Sequence, residues 1–470
     1  MYLLVRFFSP IDAAAFPICL LVCYFIFKSF IQGEKDEETR RFYNRAFKFK
    51  VLCVLAFTFL TEFYFKGGDT SLYYQAAKDL QAAVKDNPDN FWVMLFSERV
   101  TVRSPLFDFF YYDGYDMDLT YQYMISPPNF FPPKLAFFPL YMFFGSYISI
   151  NMCFGFFALL GSIQLFRFFR NYFPSLKRQL ALACLFLPSV AYWSAGLLKD
   201  PITFGSVGFV LYAFYDLFRG KKIFLSLLTI IVCGFFLYTM KVYILLVLVL
   251  AIVVWQFTEV NKRIENKTLS SIFTVMAFGV GAVVGVFLMR YFTSMEAGQE
   301  YQFDKLAGNI EYQQQMYAAI NQQLAGKDSY FTINTSNPAA MVFGGLTATF
   351  FRPLVWEINT PIALLSAIES NIFLFLTLFF LFKRGVRRFF SLPFADSITL
   401  MCFVFSIVFA VAVGVSTSNF GALSRYKIPC MPFYLVFLIL LYNKAGLAYP
   451  RWFLKIVDFA VPARRQTRFG

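Results

Sequence analysis

Histidine is absent from this 470-residue sequence and charged residues are few, and both shortages limit its chemistry. Without histidine there is no Ser-His-Asp triad, no His-ligated zinc and no general base of the commonest kind. Charged residues make up only 15% of the chain, whereas hydrophobic residues make up 59% and aromatic residues 21%. This balance lies far from that of soluble domains, and with a mean hydropathy of +0.58 it predicts a polytopic membrane protein.

Cysteine is also sparse, and its placement predicts no covalent or metal framework. All eight cysteines fall within or at the ends of apolar segments. We therefore expect neither disulfides nor a cysteine-ligated metal. The sequence also lacks a repeat of roughly 20 to 50 residues and the inverted duplication that many transporters contain.

Long apolar segments predict the architecture. A helix crosses a bilayer with roughly 17 to 25 apolar residues, because its backbone groups must bond to one another where water is absent. Two shorter apolar segments, 135–146 and 341–355, are predicted to be re-entrant or interfacial. The fold class is therefore an all-α polytopic membrane protein with about eleven transmembrane helices. The predicted spans are 13–31, 51–66, 147–166, 179–194, 201–218, 223–239, 241–257, 271–291, 361–382, 397–415 and 428–443.

The distribution of lysine and arginine predicts the orientation. Most of the 42 basic residues lie in short segments that alternate with the spans and are predicted to be cytoplasmic. The two long loops, 67–133 and 292–340, are acidic and are predicted to lie outside. The net charge of +14 thus reflects membrane topology and does not indicate nucleic-acid binding. The basic segments are 32–50, 167–178, 219–222, 258–270, 383–388 and the tail from 444.

These features divide the chain into six regions. The protein is predicted to be a multi-pass protein of a bacterial inner membrane, with its site facing the periplasm. The regions are the first two spans, 1–66; an outer loop with helical segments and an interfacial piece, 67–146; a central bundle, 147–291; a second outer loop with a re-entrant segment, 292–360; C-terminal spans, 361–443; and a basic tail, 444–470.

Several ionisable residues fall at the outer ends of different predicted spans. Ionisable side chains near hydrocarbon are costly, and they are kept where they pair, face water or perform a function. A membrane face that gathers carboxylates and cations suits an anionic headgroup beside a general base. A transporter needs polar groups near the midplane instead, where the spans contain little charge apart from Glu369. The outer residues are Glu62, Asp69, Lys199, Asp200, Lys241, Arg352, Glu357, Arg425 and Lys427.

Each of these residues also has a purely structural interpretation. Asp69 precedes an amphipathic segment and could be only its N-cap. Lys199 and Asp200 could form an interfacial turn before Pro201. Arg352 and Glu357 could simply form an ion pair with each other. Arg425 and Lys427 could extend their side chains to the membrane interface without binding a ligand.

Two stretches of the chain resemble the GT-C superfamily of membrane glycosyltransferases. "GGDTSLYYQAA" places an acidic residue after an early span and before a long outer loop, as in that superfamily. "SRYKIPCMPFYLVFLILL" resembles the Arg-Tyr-x-x-Pro-x-x-Pro stretch that enters a late span of lipid-linked mannosyl and aminoarabinosyl transferases. "PSVAYWSAGLLKDPI" and "FRPLVWEINTPIALLSAIES" look like stretches of uncharacterised proteins of bacterial surface-polysaccharide assembly.

The resemblance implies an enzyme that transfers a sugar from a polyprenyl-phosphate donor to a glycan, lipid or protein acceptor at the outer face. It implies that Asp69 deprotonates the acceptor hydroxyl and that Arg425 neutralises the leaving phosphate. Many members carry a second acidic residue beside the first, whereas Thr70 follows Asp69 here, so Asp200 and Glu357 are alternative bases. The predicted face adds Lys199, Arg352 and Lys427 to the phosphate site.

The first outer loop supplies further candidates. Tyr73 and Tyr115 are candidate aromatic residues for binding the sugar. Asp113, Asp116 and Asp118 could ligate a divalent cation, although a solvated acidic loop explains them as well. No cofactor is required by the sequence.

Three functions remain open at this point, and the third is of a different class from the first two. The first is the lipid-linked sugar transferase, and the second is a polymerase of O-antigen type that joins oligosaccharide units. The third is a transporter or flippase. A groove of amphiphile size that contains Asp69 and Arg425 favours the first two, whereas a continuous charged path through the membrane favours the third.

Overall fold

The computed structural model describes residues 7–112, 118–262, 330–334, 336–358 and 361–462, with isolated residues between 308 and 319. Within these residues the chain is helical and contains one isolated bridge, between Tyr330 and Asn419. The predicted all-α fold class is thereby confirmed for the part of the chain that is described.

The helices of the first half run from the N-terminus through the first outer loop into the central bundle. A π-helical segment, Leu60–Phe65, extends the second helix. The helices are α1 (Pro10–Ile31), α2 (Glu37–Phe59), α3 (Asp69–Asp86), α4 (Asn90–Phe96), α5 (Phe107–Tyr111), α6 (Leu119–Met124), α7 (Pro127–Met142), α8 (Tyr147–Tyr172), α9 (Lys177–Leu185), α10 (Pro188–Trp193), α11 (Lys199–Phe218) and α12 (Ile223–Asn261).

The helices of the second half follow the second outer loop. They are α13 (Pro338–Phe351), α14 (Pro361–Arg384), α15 (Val386–Ser391), α16 (Ser397–Val415), α17 (Phe420–Tyr426), α18 (Cys430–Lys444) and α19 (Arg451–Ala460).

Six of the described helices are long and apolar enough to cross a membrane, namely α1, α8, α11, α12, α14 and α16. The number is seven if α17 and α18, which meet at 66°, form one bent span. These helices are consistent with an integral, polytopic membrane protein. They do not confirm the predicted count of eleven.

Four of the predicted spans account for much of that difference. The segment predicted to span at 179–194 forms two short helices, because Pro188 lacks an amide hydrogen and Leu187 before it is extended. Spans 223–239 and 241–257 are joined in α12, where two helical segments meet at a kink because the backbone is non-helical at Lys241, the position where a turn was predicted. The predicted span 271–291 lies outside the described residues.

Glycines allow α8 and α11 to pack with their backbones in contact. A Cβ atom added to Gly161 would lie 2.3 Å from the carbonyl oxygen of Gly205, and one added to Gly208 would lie 2.0 Å from that of Gly161. Gly345 of α13 and Gly414 of α16 approach in the same way, with 2.1 Å between the added Cβ of Gly414 and the Gly345 oxygen. Small residues permit this close approach in membranes, where lipid offers no hydrophobic force to join helices.

The short helix α10 is held at both ends by buried charges. At its N-terminus the Glu369 carboxylate accepts hydrogen bonds from the Ser189 amide, at 2.7 Å, and from the Ser189 hydroxyl. At its C-terminus the Lys50 ammonium donates to the carbonyl oxygens of Ala191, at 2.9 Å, and Ser194, at 3.2 Å. An anion at the N-terminus and a cation at the C-terminus complement the helix dipole. Glu369 therefore has a structural role in the interior.

The basic segments contact one another at one end of the bundle. This agrees with the prediction that they lie on the same side of the membrane. They lie opposite the outer residues at the starts of α3 and α11. The contacts include Arg170 to Glu34 (2.5 Å), Lys177 to Asp36 (3.0 Å), Arg178 to Asp458 (2.7 Å), Lys262 to Asp396 (3.9 Å), the Arg384 guanidinium to the Gly446 carbonyl (3.0 Å) and Arg219 over the ring of Tyr172 (5.8 Å).

Candidate functional site

A turn of three residues with positive φ delivers Asp69 to the site. Lys66, Gly67 and Gly68 have φ of 57°, 127° and 128°, and the two glycines reach values that residues with a Cβ rarely adopt. Gly68 is the N-cap residue of α3 and Asp69 is the first residue of the helix. The interpretation of Asp69 as the N-cap is therefore wrong, and its carboxylate bonds to another helix instead.

Breaks in two other helices bring the remaining charges to the same place. Asp200 lies in the first turn of α11 and is 1% exposed. Lys241 lies at the non-helical point of α12, and Arg425 lies in the last turn of the short helix α17. Charged side chains at interrupted helices in membrane proteins are typical of a binding or catalytic site.

The Arg425 guanidinium connects the two carboxylates. Its Nη1 donates to Asp69 Oδ2 at 2.8 Å and its Nη2 to Asp200 Oδ2 at 3.2 Å. The Lys241 ammonium donates to the second oxygen of Asp200 at 2.5 Å. Asp200 thus has both oxygens bonded to cations and is a poor substitute base, whereas Asp69 bonds to Arg425 through one oxygen and is exposed enough to meet a ligand.

The cluster of Asp69, Lys199, Asp200, Lys241 and Arg425 carries excess positive charge, because three cations face two carboxylates. Within the described residues the Lys199 ammonium has no ion-pair partner, although its charge acts on both Asp69 and Asp200. The Nε of Arg425 is buried and likewise has no hydrogen-bond partner there. An arrangement of this kind stabilises an additional anion, and a phosphate group suits the planar donors of arginine.

The Asp69 carboxyl lies outside the spanning helices and has a pKa below its ordinary value. Burial by itself raises that pKa. The charge and hydrogen bond of Arg425, with smaller contributions from Tyr123 and Lys199, outweigh burial and lower it. Asp69 is therefore ionised at neutral pH, as a general base must be.

Two tyrosines lie beside Asp69. The rings of Tyr73 and Tyr123 have centroids 5.7 Å apart, and the Tyr73 hydroxyl donates to Asn129 Oδ1 at 3.4 Å. Tyr73 is fully buried, and burial raises its pKa. Its ring therefore lies in the protein interior, and its predicted role in substrate binding stays a prediction. The sequence offered no motif for Tyr123, which reaches the same carboxylate.

A cavity of about 770 Å³ opens beside this cluster. Asp69 and Arg425 form part of its wall, next to a large apolar portion. Sequence reasoning missed three of its polar residues, Lys66, Tyr192 and Asn419, because none of them forms a motif. The lining residues are Phe57, Thr61, Phe65, Lys66, Gly67, Gly68, Asp69, Thr70, Leu72, Leu119, Tyr192, Trp193, Leu198, Asn419, Gly421, Ala422 and Arg425.

Arg352, Glu357 and Lys427 form a separate group that does not line the cavity. The Arg352 guanidinium bonds to both oxygens of Glu357, as the alternative interpretation of this pair predicted, and it lies 5.0 Å from the ring centre of Phe331. The fully buried Lys427 ammonium donates to the Arg352 carbonyl and to the Ser370 hydroxyl, both at 2.8 Å. These contacts hold Glu357, Arg352 and Lys427 away from the cavity, and their predicted roles as alternative base and phosphate ligands stay predictions.

The remaining loop candidates are largely outside the described residues. This applies to Asp113, Tyr115 and Asp116. Asp118 is described, and it accepts a hydrogen bond from Gln122 at 2.6 Å. Within the described residues there is no group of three or more side chains that could hold a metal ion.

No protein-family model, curated protein or solved structure matches this chain. The resemblance to GT-C glycosyltransferases is thus a prediction from short stretches, and the geometry of the site is the further support for a function.

Proposed function

We propose that this protein is a membrane glycosyltransferase that takes a sugar from a polyprenyl-phosphate donor and passes it to an acceptor hydroxyl at the outer face. The product belongs to a cell-surface glycan or glycoconjugate. The observation that carries this proposal is the cavity in which Asp69 and Arg425 meet beside an apolar wall.

The composition of that wall fits the two ends of such a donor. Phe57, Phe65 and Leu198 offer apolar surface to the first isoprene units. Arg425 and Lys66 lie in the same wall and can neutralise the phosphate, with the charge of Lys199 behind them. A volume of about 770 Å³ accommodates a monosaccharide phosphate together with part of a lipid chain.

The proposed reaction is a single displacement at the anomeric carbon of the sugar. Asp69 takes the proton of the acceptor hydroxyl, and the acceptor oxygen forms a bond to that carbon. The bond between the carbon and the phosphate oxygen breaks, and its electron pair leaves with the polyprenyl phosphate. Arg425 stabilises the charge that develops on the leaving phosphate.

The ion pair between Asp69 and Arg425 gives the donor a second role. While Arg425 donates to Asp69 at 2.8 Å, the carboxylate is a weak base, because its pKa is lowered. A donor phosphate competes for the same guanidinium, and its own negative charge raises the pKa of Asp69. Binding of the donor thus produces the stronger base, while Asp200, itself held by Lys241, keeps Arg425 in place.

The cavity supports a transferase or a polymerase over a transporter. It lies at the ends of helices, where the first two functions need their substrates to meet. In the described part of the chain, the buried side chains of Glu369 and Lys50 bind the ends of α10 and are thereby engaged in structure rather than in contact with a solute. The polymerase has no observation that favours it over the single-sugar transferase.

Transfer from a radiolabelled polyprenyl-phosphate sugar tests the proposal. We expect purified Asp69→Asn to fold and to lose transfer by a factor of roughly 100 to 10,000, the usual contribution of a general base. Arg425→Ala should lose the same reaction and also bind the donor more weakly. The matched control is Asp86→Asn, which changes an exposed carboxylate at the far end of α3 and should leave transfer unchanged.

A wild-type protein that transfers no sugar from any of several donors would overturn the transferase assignment. Oligosaccharide-linked donors, assayed in the same way, would then test the polymerase. Equal transfer by wild type and Asp69→Asn would instead remove Asp69 from the mechanism and leave the ion pair a structural one.

A further inference from the structure

The C-terminal helix α19 is strongly amphipathic and lies at the basic end of the molecule, away from the cavity. Its sequence is RWFLKIVDFA, and Phe453 and Val457 are buried against the rest of the chain. Helical geometry places Arg451, Lys455 and Asp458 on the opposite side. A short helix with this pattern is typical of one that lies in the membrane interface.

Arginines of two other helices fix the position of α19. Arg45 of α2 donates to the Phe459 carbonyl at 3.3 Å. Arg178 of α9 donates to the Val461 carbonyl through Nε, at 2.9 Å, and through Nη2, at 2.7 Å, and it pairs with Asp458. These contacts satisfy carbonyl groups at the helix C-terminus, so the orientation of α19 is determined by the protein and is present before any ligand binds.

The apolar side of α19 extends beyond the part of the helix that the rest of the protein covers. Phe459 is 85% exposed, and Trp452, on the same flank, is 39% exposed. Both rings lie next to the cations Arg451 and Lys455 on the helix surface. Tryptophan and phenylalanine beside basic residues are the composition that interfacial helices present to lipid headgroups.

The charge around this flank selects the kind of partner. The sequence after α19 adds Arg464, Arg465 and Arg468 and no acidic residue. The neighbouring basic segments would repel the same end of a second copy of this chain. A surface that carries negative charge and accepts aromatic rings complements the flank, and a membrane leaflet that contains anionic lipid is such a surface.

We propose that α19 binds anionic phospholipid, with Trp452 and Phe459 inserted among the headgroups and Arg451 and Lys455 bound to their phosphates. The site is independent of the proposed transfer reaction and lies at the opposite end of the bundle. It anchors the C-terminal end of the chain to the leaflet.

Thermal unfolding of the detergent-solubilised protein tests this inference. Phosphatidylglycerol is titrated in, with phosphatidylcholine and soluble glycerol phosphate as the two comparison ligands. For the wild type we expect phosphatidylglycerol to raise Tm and the two comparison ligands to leave it unchanged. In Arg451→Gln/Lys455→Gln, the concentration of phosphatidylglycerol that gives half of the Tm increase should rise about fivefold for each cation removed. A rise with glycerol phosphate as well would mean a simple anion site and would overturn the lipid assignment.

The matched control is Arg40→Gln/Arg41→Gln, which removes two exposed cations from α2 at the same end of the molecule. The aromatic neighbours of these two arginines, Phe42 and Tyr43, are buried, so the response of this variant to phosphatidylglycerol should equal that of the wild type. Equal weakening in both double variants would attribute the effect to net charge and overturn the assignment to α19. A second readout is quenching of tryptophan fluorescence by brominated lipid, in which the Trp452→Phe variant should lose part of the quenched signal.

Discussion

At the scale of single residues, the feature that most affects function is the shared guanidinium of Arg425. It holds two carboxylates from different helices, and only Asp69 lines the cavity. Asp200 is buried between two cations and positions Arg425. The same residue type is therefore the proposed base at one position and a support at the other, because the exposure of the two side chains differs.

The pH dependence of transfer distinguishes the free enzyme from the donor complex. In the free enzyme Arg425, Lys199 and Tyr123 together lower the pKa of Asp69, so the acid limb of kcat/KM should lie below the ordinary range of aspartate. When donor phosphate takes over Arg425, that pKa rises, and the acid limb of kcat should lie at higher pH. If the acid limbs of kcat/KM and kcat lay at the same pH, the donor phosphate would not have replaced Asp69 as the partner of Arg425.

Lys199 should contribute to donor binding and not to the proton transfer. We expect Lys199→Gln to raise KM for the donor by roughly 5-fold to 50-fold, as for the loss of one charge-assisted contact, with a smaller effect on kcat. Lys78→Gln on the outer helix α3 is the comparison variant. A fall in kcat at unchanged KM would place Lys199 in the transition state instead.

At the scale of elements, buried charges and glycines replace the hydrophobic effect as the source of specific packing. Lys50 binds the last carbonyls of α10, and Glu369 binds its first amide. This pair allows a six-residue helix to exist between two breaks inside the bundle. The Gly161, Gly205 and Gly208 contacts fix the distance between α8 and α11.

Removal of the Lys50 ammonium should destabilise α10. Lys50→Met leaves the Ala191 and Ser194 carbonyls without their donor, at a cost of roughly 1 to 3 kcal/mol. The Tm of the purified protein should fall, whereas Lys48→Met, an exposed neighbour on the same helix, should not change it. An unchanged Tm in Lys50→Met would show that water or a shifted side chain satisfies these carbonyls.

The contact between α8 and α11 should not tolerate a larger side chain. Gly161→Val directs atoms at the backbone of Gly205, and we expect destabilisation at the upper end of the roughly 1 to 3 kcal/mol of overpacked cores. Gly234→Val, in the long helix α12 with no atom within 4 Å of the added Cβ, is the control. Equal Tm values for the two variants would mean that these helices can move apart without cost.

At the scale of the whole molecule, the two ends of the bundle differ in chemistry. The end predicted to be outer holds the cavity and its charge cluster, while the other end holds the linked basic segments and α19.

Labelling of single added cysteines tests this orientation. Membrane-impermeant maleimide should label Asp86→Cys in intact spheroplasts and Lys221→Cys only after lysis, since the two positions are exposed and lie at opposite ends of the bundle. The reverse pattern would contradict the predicted orientation. Labelling of the wild type, which has eight native cysteines, gives the background signal to be subtracted.

The amino-acid sequence determined the class of this protein, because apolar length and composition decide whether a helix prefers lipid to water. It also placed Asp69, Lys199, Asp200 and Arg425 at one face, since topology follows from charge bias between spans. The sequence also predicted the break at Lys241, whereas neither the break at Pro188 nor the cap at Gly68 followed from hydropathy, which averages over a window longer than such breaks.

Only the tertiary structure decided which charges meet. Arg352 and Arg425 look alike in the sequence, each near the outer end of a span, yet Arg352 is paired with Glu357 and Arg425 faces the cavity. Their difference depends on contacts between residues hundreds of positions apart, such as the one between Arg425 and Asp69. A one-dimensional pattern carries no information on such contacts, because the interaction energy depends on distances that exist only after the helices have packed.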